Sequence, residues 1–270
     1  MNSLYNMIEG LFDVDPDIKF DDKYIKGKSP EEIGWMLKHN QPKRTQDLIF
    51  TINQYCKKYG WKSDLNWIDV SNISIMDNVF SKKSRNHQFN GDISKWDMSN
   101  VTSMMSMFEG SKFNGDIKDW DVSHVTNMCC LFTDSNFNSD IKDWDVSNVL
   151  GMSGMFAKCP FNGDIKDWDV SHVMLTNFMF SDSKFNGDIS KWDVSNAENM
   201  EGMFMGSAFN GYISKWNVSK VSNMNHMFEG SVFSGDISGW NTSHVDIMYS
   251  IFKNSPLEKN PPAWYAARSL

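Results

Sequence analysis

The sequence predicts an α/β parallel solenoid of 24-residue units, each one short strand and one short helix, closed at its N-terminal end by a helical cap. Three observations carry this prediction. Phe89, Phe113, Phe137, Phe161, Phe185, Phe209 and Phe233 lie 24 residues apart without exception. Seven residues after each stands a tryptophan: Trp96, Trp120, Trp144, Trp168, Trp192, Trp216 and Trp240. A second phenylalanine closes every unit, at Phe108, Phe132, Phe156, Phe180, Phe204, Phe228 and Phe252. Such a period means stacked supersecondary units, none of which buries its own apolar side alone.

From the N-terminus, residues 1–64 read as the helical cap. Met1–Glu9 has neither a basic nor an apolar leader segment, so the chain is expected in the cytoplasm. Ser29-Pro30-Glu31-Glu32 is a capping box with proline at the first helical position. Thr45 opens a second helix that runs from Gln46 to about Lys58 and stops at Gly60. Repeat arrays need such ends to stay soluble. Residues 65–256 are the solenoid: a partial unit over Leu65–Phe80, an insertion around Lys82–His87, then seven full units. Pro256, Pro261 and Pro262 stop the ladder, and residues 257–270 read as a C-terminal cap.

Within a unit, Ile189, Trp192 and Val194 are apolar beside polar Lys191 and Asp193, the alternation of a short strand. Ser195 follows as turn residue or helix N-cap. Ala197, Met200, Met203 and Phe204 then recur at three- and four-residue spacing, the stripe of a short helix. Gly206 and Ser207 turn the chain toward the next Phe209. Strands stacked about 4.8 Å apart give a body of roughly 34 Å.

The string Phe-Asn-Gly-Asp-Ile-Ser-Lys-Trp-Asp-Val-Ser, seen nearly whole from Phe89 and Phe185, resembles the BspA-like leucine-rich repeat of bacterial surface proteins and lipoproteins. The resemblance covers about residues 64 to 264, and its Asp-Ile-x-x-Trp-Asp-Val-Ser core is specific. It implies a leucine-rich-repeat-like solenoid used for binding, often on cell surfaces and sometimes encoded by viruses. One unit departs from the pattern: Thr176 stands where a core methionine is due, so a local shift is expected around Phe178.

The net charge is −8, and the acid excess is concentrated in the repeats: Phe89–Pro256 holds 21 acids and 11 bases. That balance argues against nucleic acid or an anionic membrane as partner. No run of about 18 apolar residues is present to span a bilayer. The cysteines Cys56, Cys129, Cys130 and Cys159 lack metal or disulfide spacing and read as reduced thiols. His124, His172 and His244 share one phase, but His124 and His172 are two units apart, about 10 Å, too far for one metal. The Asp92, Asp116, Asp140, Asp164 and Asp188 series follows Asn-Gly or Asn-Ser, which is turn chemistry. Asn90, Asn114, Asn138, Asn162, Asn186 and Asn210 are placed to bond backbone groups between units.

The candidate site is the acid flanking each tryptophan. Asp97, Asp121, Asp145, Asp169 and Asp193 follow it; Lys95, Asp119, Asp143, Asp167, Lys191 and Lys215 precede it. Three central units therefore carry two aspartates each, with lysines at either end. Like charges about 5 Å apart repel by nearly 1 kcal/mol in water. The ladder is either an acidic face for a basic partner or a set of aspartates accepting turn hydrogen bonds, with Lys118, Lys142 and Lys166 offsetting charge. No phosphate loop, dinucleotide fingerprint, nucleophile elbow or zinc-protease motif occurs. The function expected is a non-catalytic protein-binding scaffold without a cofactor, monomeric or weakly self-associating, acting as an intracellular inhibitor or adaptor. A surface adhesin for carbohydrate or host protein is the alternative. A virus-encoded acidic decoy that blocks a nucleic-acid-binding or defence protein is another.

Overall fold

The computed structural model describes residues 22–267. The Met1–Glu9 reading and both outermost ends of the caps lie outside the described residues. Three helices come first: α1 (Asp22–Ile25), α2 (Pro30–His39) and α3 (Thr45–Tyr59). The Ser29 hydroxyl accepts from the Glu32 N–H while the Glu32 carboxylate accepts from the Ser29 N–H, the reciprocal cap that the sequence predicts. Gly60, at φ 99°, ends α3 in a backbone region that suits glycine.

The repeats stack, and each coil is tied to the next along nearly its whole length. One parallel bridge joins successive coils, running Ile75–Ser103–Asn127–Gly151–Leu175–Asn199–Asn223–Ile247. This corrects the strand-plus-helix unit. The bridge column does not lie in the Trp-Asp-Val segment. It immediately precedes the methionines, and no described residue between Trp61 and Ser255 is helical or in a continuous strand.

The reason lies in the hydrogen-bond routes. The N–H groups of Met104, Ser106, Phe108 and Gly110 donate forward to the carbonyls of Asn127, Cys129, Leu131 and Thr133 in the next coil. The intervening Met107 and Glu109 donate back three residues, to Met104 and Ser106. The chain therefore alternates turn bonds with inter-coil bonds and cannot close a helical ladder. Left-handed residues allow this path, one column being Ser106, Cys130, Gly154, Phe178, Gly202, His226 and Ser250. A second column, four residues on, is Gly110, Asp134, Lys158, Asp182, Gly206, Gly230 and Asn254. The apolar spacing of three and four survives because each such turn also returns side chains to one side.

The core is a set of stacked rings. Phe113 lies 6.0 Å from Phe89 and 6.5 Å from Phe137; Phe132 lies 5.6 Å from Phe108 and 5.9 Å from Phe156. Each column tryptophan from Trp96 to Trp240 is buried, and its indole N–H donates to a carbonyl of the preceding coil, Leu65 for Trp96 and then the isoleucine, as from Trp120 to Ile93 and from Trp144 to Ile117. Gly115 shows why glycine follows the asparagine. A Cβ there would stand 2.7 Å from the Phe113 ring and 3.2 Å from the Gly91 carbonyl oxygen.

At the N-terminal end the coil spacing is 28 residues, since Asp64 pairs with Asp92 and Ile75 with Ser103. The insertion expected near Lys82–His87 accounts for it. Ile68 then occupies the tryptophan column, and Trp67 falls one place early, against Trp35 (6.4 Å) and Tyr55 (5.0 Å) of α2 and α3. Asn86 Nδ2 donates to the Ile49 carbonyl of α3, and Thr45 Oγ1 to the Ile75 carbonyl. At the other end Trp264, in α4 (Ala263–Ala266), stacks 6.5 Å from Trp240 and donates to the Ile237 carbonyl at 2.8 Å. The expected shift near Phe178 does not occur. Gly151, Leu175 and Asn199 bridge in unbroken register, and Thr176 stays buried with its hydroxyl donating to the Asn199 carbonyl.

Candidate functional site

All the sequence-selected acids and lysines lie exposed on the turn that carries the buried tryptophan. The two sets flanking the tryptophan differ in what they do. Those after it are anchored: Asp97 Oδ1 accepts the Ser99 N–H at 3.0 Å and the Ser99 hydroxyl at 2.6 Å. Asp121 and Asp145 repeat this with Ser123 and Ser147, and Asp169 and Asp193 accept the N–H of Ser171 and Ser195. Asn217 and Asn241 make the same turn without a charge. The serine hydroxyl first, and then its N–H, hold the carboxyls of Asp97, Asp121 and Asp169 below the usual carboxylate range. Asp121, one coil along, pushes Asp97 the other way, so neighbouring coils sense each other's charge.

The set before the tryptophan has a different character. Asp119, Asp143 and Asp167 are exposed and belong to three consecutive coils, with Lys95 before them and Lys191 and Lys215 after. Their carboxylates hold no turn. The lysines expected to offset them are engaged elsewhere: Lys118, Lys142 and Lys166 reach Asp116, Asp140 and Asp164 at 3.5, 3.8 and 2.8 Å. Those partners belong to the Asn-Gly-Asp turn, where Asp116 and Asp140 also accept the N–H two residues on. The asparagines form a ladder of their own, each accepting the N–H of the next asparagine from Asn90 to Asn210.

Other candidate chemistry is accounted for by structure. Burial raises the Cys56 thiol to about 12 and the Cys159 thiol to about 11, which leaves both unreactive. His124, His172 and His244 are exposed. Among the described residues no group of three or more His, Cys, Asp or Glu is placed to hold a metal. No described helix is long and apolar enough to cross a membrane. A cleft of about 470 Å³ lies between α2 and α3, lined by Trp35, Tyr55, Tyr59 and Glu32. Its polar groups are already matched: Glu32 accepts from Tyr59 and pairs with Lys58 at 2.8 Å, while the Lys28 ammonium sits 3.8 Å above the Tyr59 ring.

Reasoning from repetition passed over the places where a column changes character. Leu150 and Met174, beside the bridge column, and Leu175, within it, are exposed apolar residues. The signal for them is departure from the column, not conformity to it.

This geometry is that of a tandem array, and the family comparison agrees. Residues 51–160, 112–207 and 151–264 each match the family described as "Mycoplasma protein of unknown function, DUF285". The chain belongs to that family. The three matches overlap and the first starts inside α3, so the family pattern takes in the first coil, with its 28-residue spacing, as well as the regular ones. No curated protein and no solved structure matches the chain.

Proposed function

We propose that this DUF285 chain is a non-catalytic protein-binding scaffold that presents an acidic turn face to a basic protein partner. The array would then be a solenoid of the leucine-rich-repeat-like kind, with one parallel bridge per coil in place of a full strand. The observation that carries the reading is the exposed column Asp119, Asp143 and Asp167, bordered by Asp121, Asp145 and Asp169. The serines fix the second set, so the array meets a partner with its charges already placed and little entropy is lost on binding. Electrostatic attraction of this type acts mainly on association rate and fades with salt.

The test replaces Asp119, Asp143 and Asp167 together by asparagine, which leaves every serine-held turn in place. Capture of proteins from the source cell's lysate is compared between the native and substituted chains at low and high salt. Partners retained by the native chain at low salt, and lost by the substituted chain, support the reading. Equal capture with the same salt dependence would overturn it.

A further inference from the structure

In a repeat array the ordinary content of a column is set by stacking, so a local departure is where specificity is written. The column before the bridge reads Ser74, Thr102, Thr126, Leu150, Met174, Glu198, Ser222 and Asp246. The bridge column reads Ile75, Ser103, Asn127, Gly151, Leu175, Asn199, Asn223 and Ile247. Polar residues fill the regular coils on either side of the middle. In two adjacent coils they give way to Leu150, Met174 and Leu175, which are 43%, 36% and 41% exposed. The three are contiguous, because the Met174 N–H donates to the Leu150 carbonyl at 2.9 Å and Gly151 bridges Leu175. None of them adds to the core.

A fourth departure sits in the same segment. Phe178 occupies the left-handed column at φ 58°, where a bulky side chain is an outlier. Its ring lies over Gly202, where a Cβ would come within 2.4 Å, and Gly154 holds the same column on its other side. The fold keeps a half-exposed aromatic in a costly conformation where both neighbours are glycine.

We infer that Leu150, Met174 and Leu175, with Phe178 beside them, form an apolar docking patch for an extended segment of another protein, one carrying an apolar side chain and a lysine or arginine about two or three residues further on. Charge on one side only selects this occupant. The coil after the patch supplies exposed Glu198 and half-buried Glu201, while the coil before it supplies neutral Thr126 and Asn127. Coils about 4.8 Å apart place Glu198 about 5 to 10 Å from the apolar group, and an extended strand covers that in about two or three residues. A second copy of the chain fits less well: it also carries −8, and its own patch offers no base to meet Glu198. The inference rests on the reading of the array as a protein-binding scaffold but uses a face separate from the acidic turns.

The test pans a displayed library of random peptides against the full chain, then measures each enriched peptide by titration. The key variant is Leu150→Thr/Met174→Thr/Leu175→Asn, which installs residues that the same columns carry at Thr102, Thr126, Asn127 and Asn199 and so preserves the stack. Peptides with the apolar-then-basic pattern are expected to weaken about tenfold or more on this variant. They are expected to weaken several-fold on Glu198→Gln, with a flatter salt dependence. They should be unchanged on Asp119→Asn/Asp143→Asn/Asp167→Asn. Absence of enrichment, or equal affinity for the triple apolar variant, overturns the patch. Loss of binding only on the aspartate variant overturns it too and leaves the acidic face as the binding surface. Concentration-dependent dimers in sedimentation that the apolar variant abolishes would assign the patch to a second copy and overturn the foreign segment.

Discussion

At the scale of single residues, the tryptophan column is a hydrogen-bonding column as much as an apolar one. Every tryptophan from Trp120 to Trp264 donates its indole N–H to the isoleucine carbonyl 27 residues earlier. Trp144→Phe should therefore cost about 1–3 kcal/mol, from the lost indole bond and the space that the smaller ring leaves, while the Ile117 carbonyl keeps the Trp120 N–H as donor. Urea unfolding checks this, and a change within about 0.5 kcal/mol would show that the bond is dispensable. The anchored aspartates bear on pH. Folding lowers the carboxyls of Asp97, Asp121 and Asp169, so their contribution is present above the unfolded value, near 4, and is lost as pH falls through the lower folded values. The melting temperature should be level from pH 8 to about 5 and fall below about 4. Asn217 and Asn241 make the same turn without titrating, so replacing the three aspartates by asparagine should blunt that fall. An unaltered acid limb in thermal melts would show that other groups set it.

At the scale of the coil, the structure explains both what could be read from sequence and what could not. The identity of each buried column was legible, because Phe, Ile, Trp and Met recur at fixed phase and all point inward. The local conformation was not. Its left-handed positions include Ser106, Cys130, Phe178, His226 and Ser250, which carry no glycine signal, and alternate N–H groups from Met104 to Gly110 bond to the coil 23 residues on. A local window sees three- and four-residue spacing and reads a helix. The acidic residues were likewise legible as a ladder, but their division into turn-anchored and unanchored sets depends on which side of the tryptophan each one stands. Unit four was legible as irregular, and its consequence is a packing fault in place of a register shift. Thr176 and Ala197 replace the usual methionine and valine, and a small void lies among Met152, Val173, Met179 and Trp192. Thr176→Met with Ala197→Val should fill it and stabilise the fold by about 1–2 kcal/mol. The Asn199 carbonyl keeps the residue-176 N–H as donor, so losing the hydroxyl orphans nothing. A lower urea midpoint for the double variant would mean that the surrounding rings have already closed on the void.

At the scale of the whole molecule, the interactions that repeat between regular coils are offsets of about 24 residues: the bridge, the asparagine ladder, the ring stacks and the indole bonds. The Lys82–Asp134 ion pair, on the surface, reaches across two coils. Stability should then be a sum of coils and nearest-neighbour interfaces, with each end closed by its own elements. Excising residues 113–136 tests this directly. The cut joins Lys112 to Phe137, the same kind of junction as Asn136 to Phe137, and sets Phe89 over Phe137 as it formerly stood over Phe113. Both ends keep their contacts: α2 and α3 still meet Trp67, and Trp264 still meets Trp240. The shortened chain should fold cooperatively, with lower stability and a urea m-value reduced in proportion to the surface of one lost coil. Excising only residues 113–124 removes half a period and sets polar positions against the ring stacks, so that chain should not fold cooperatively. Tryptophan fluorescence and circular dichroism through a urea titration distinguish the two, and equal behaviour of both deletions would refute a one-dimensional array.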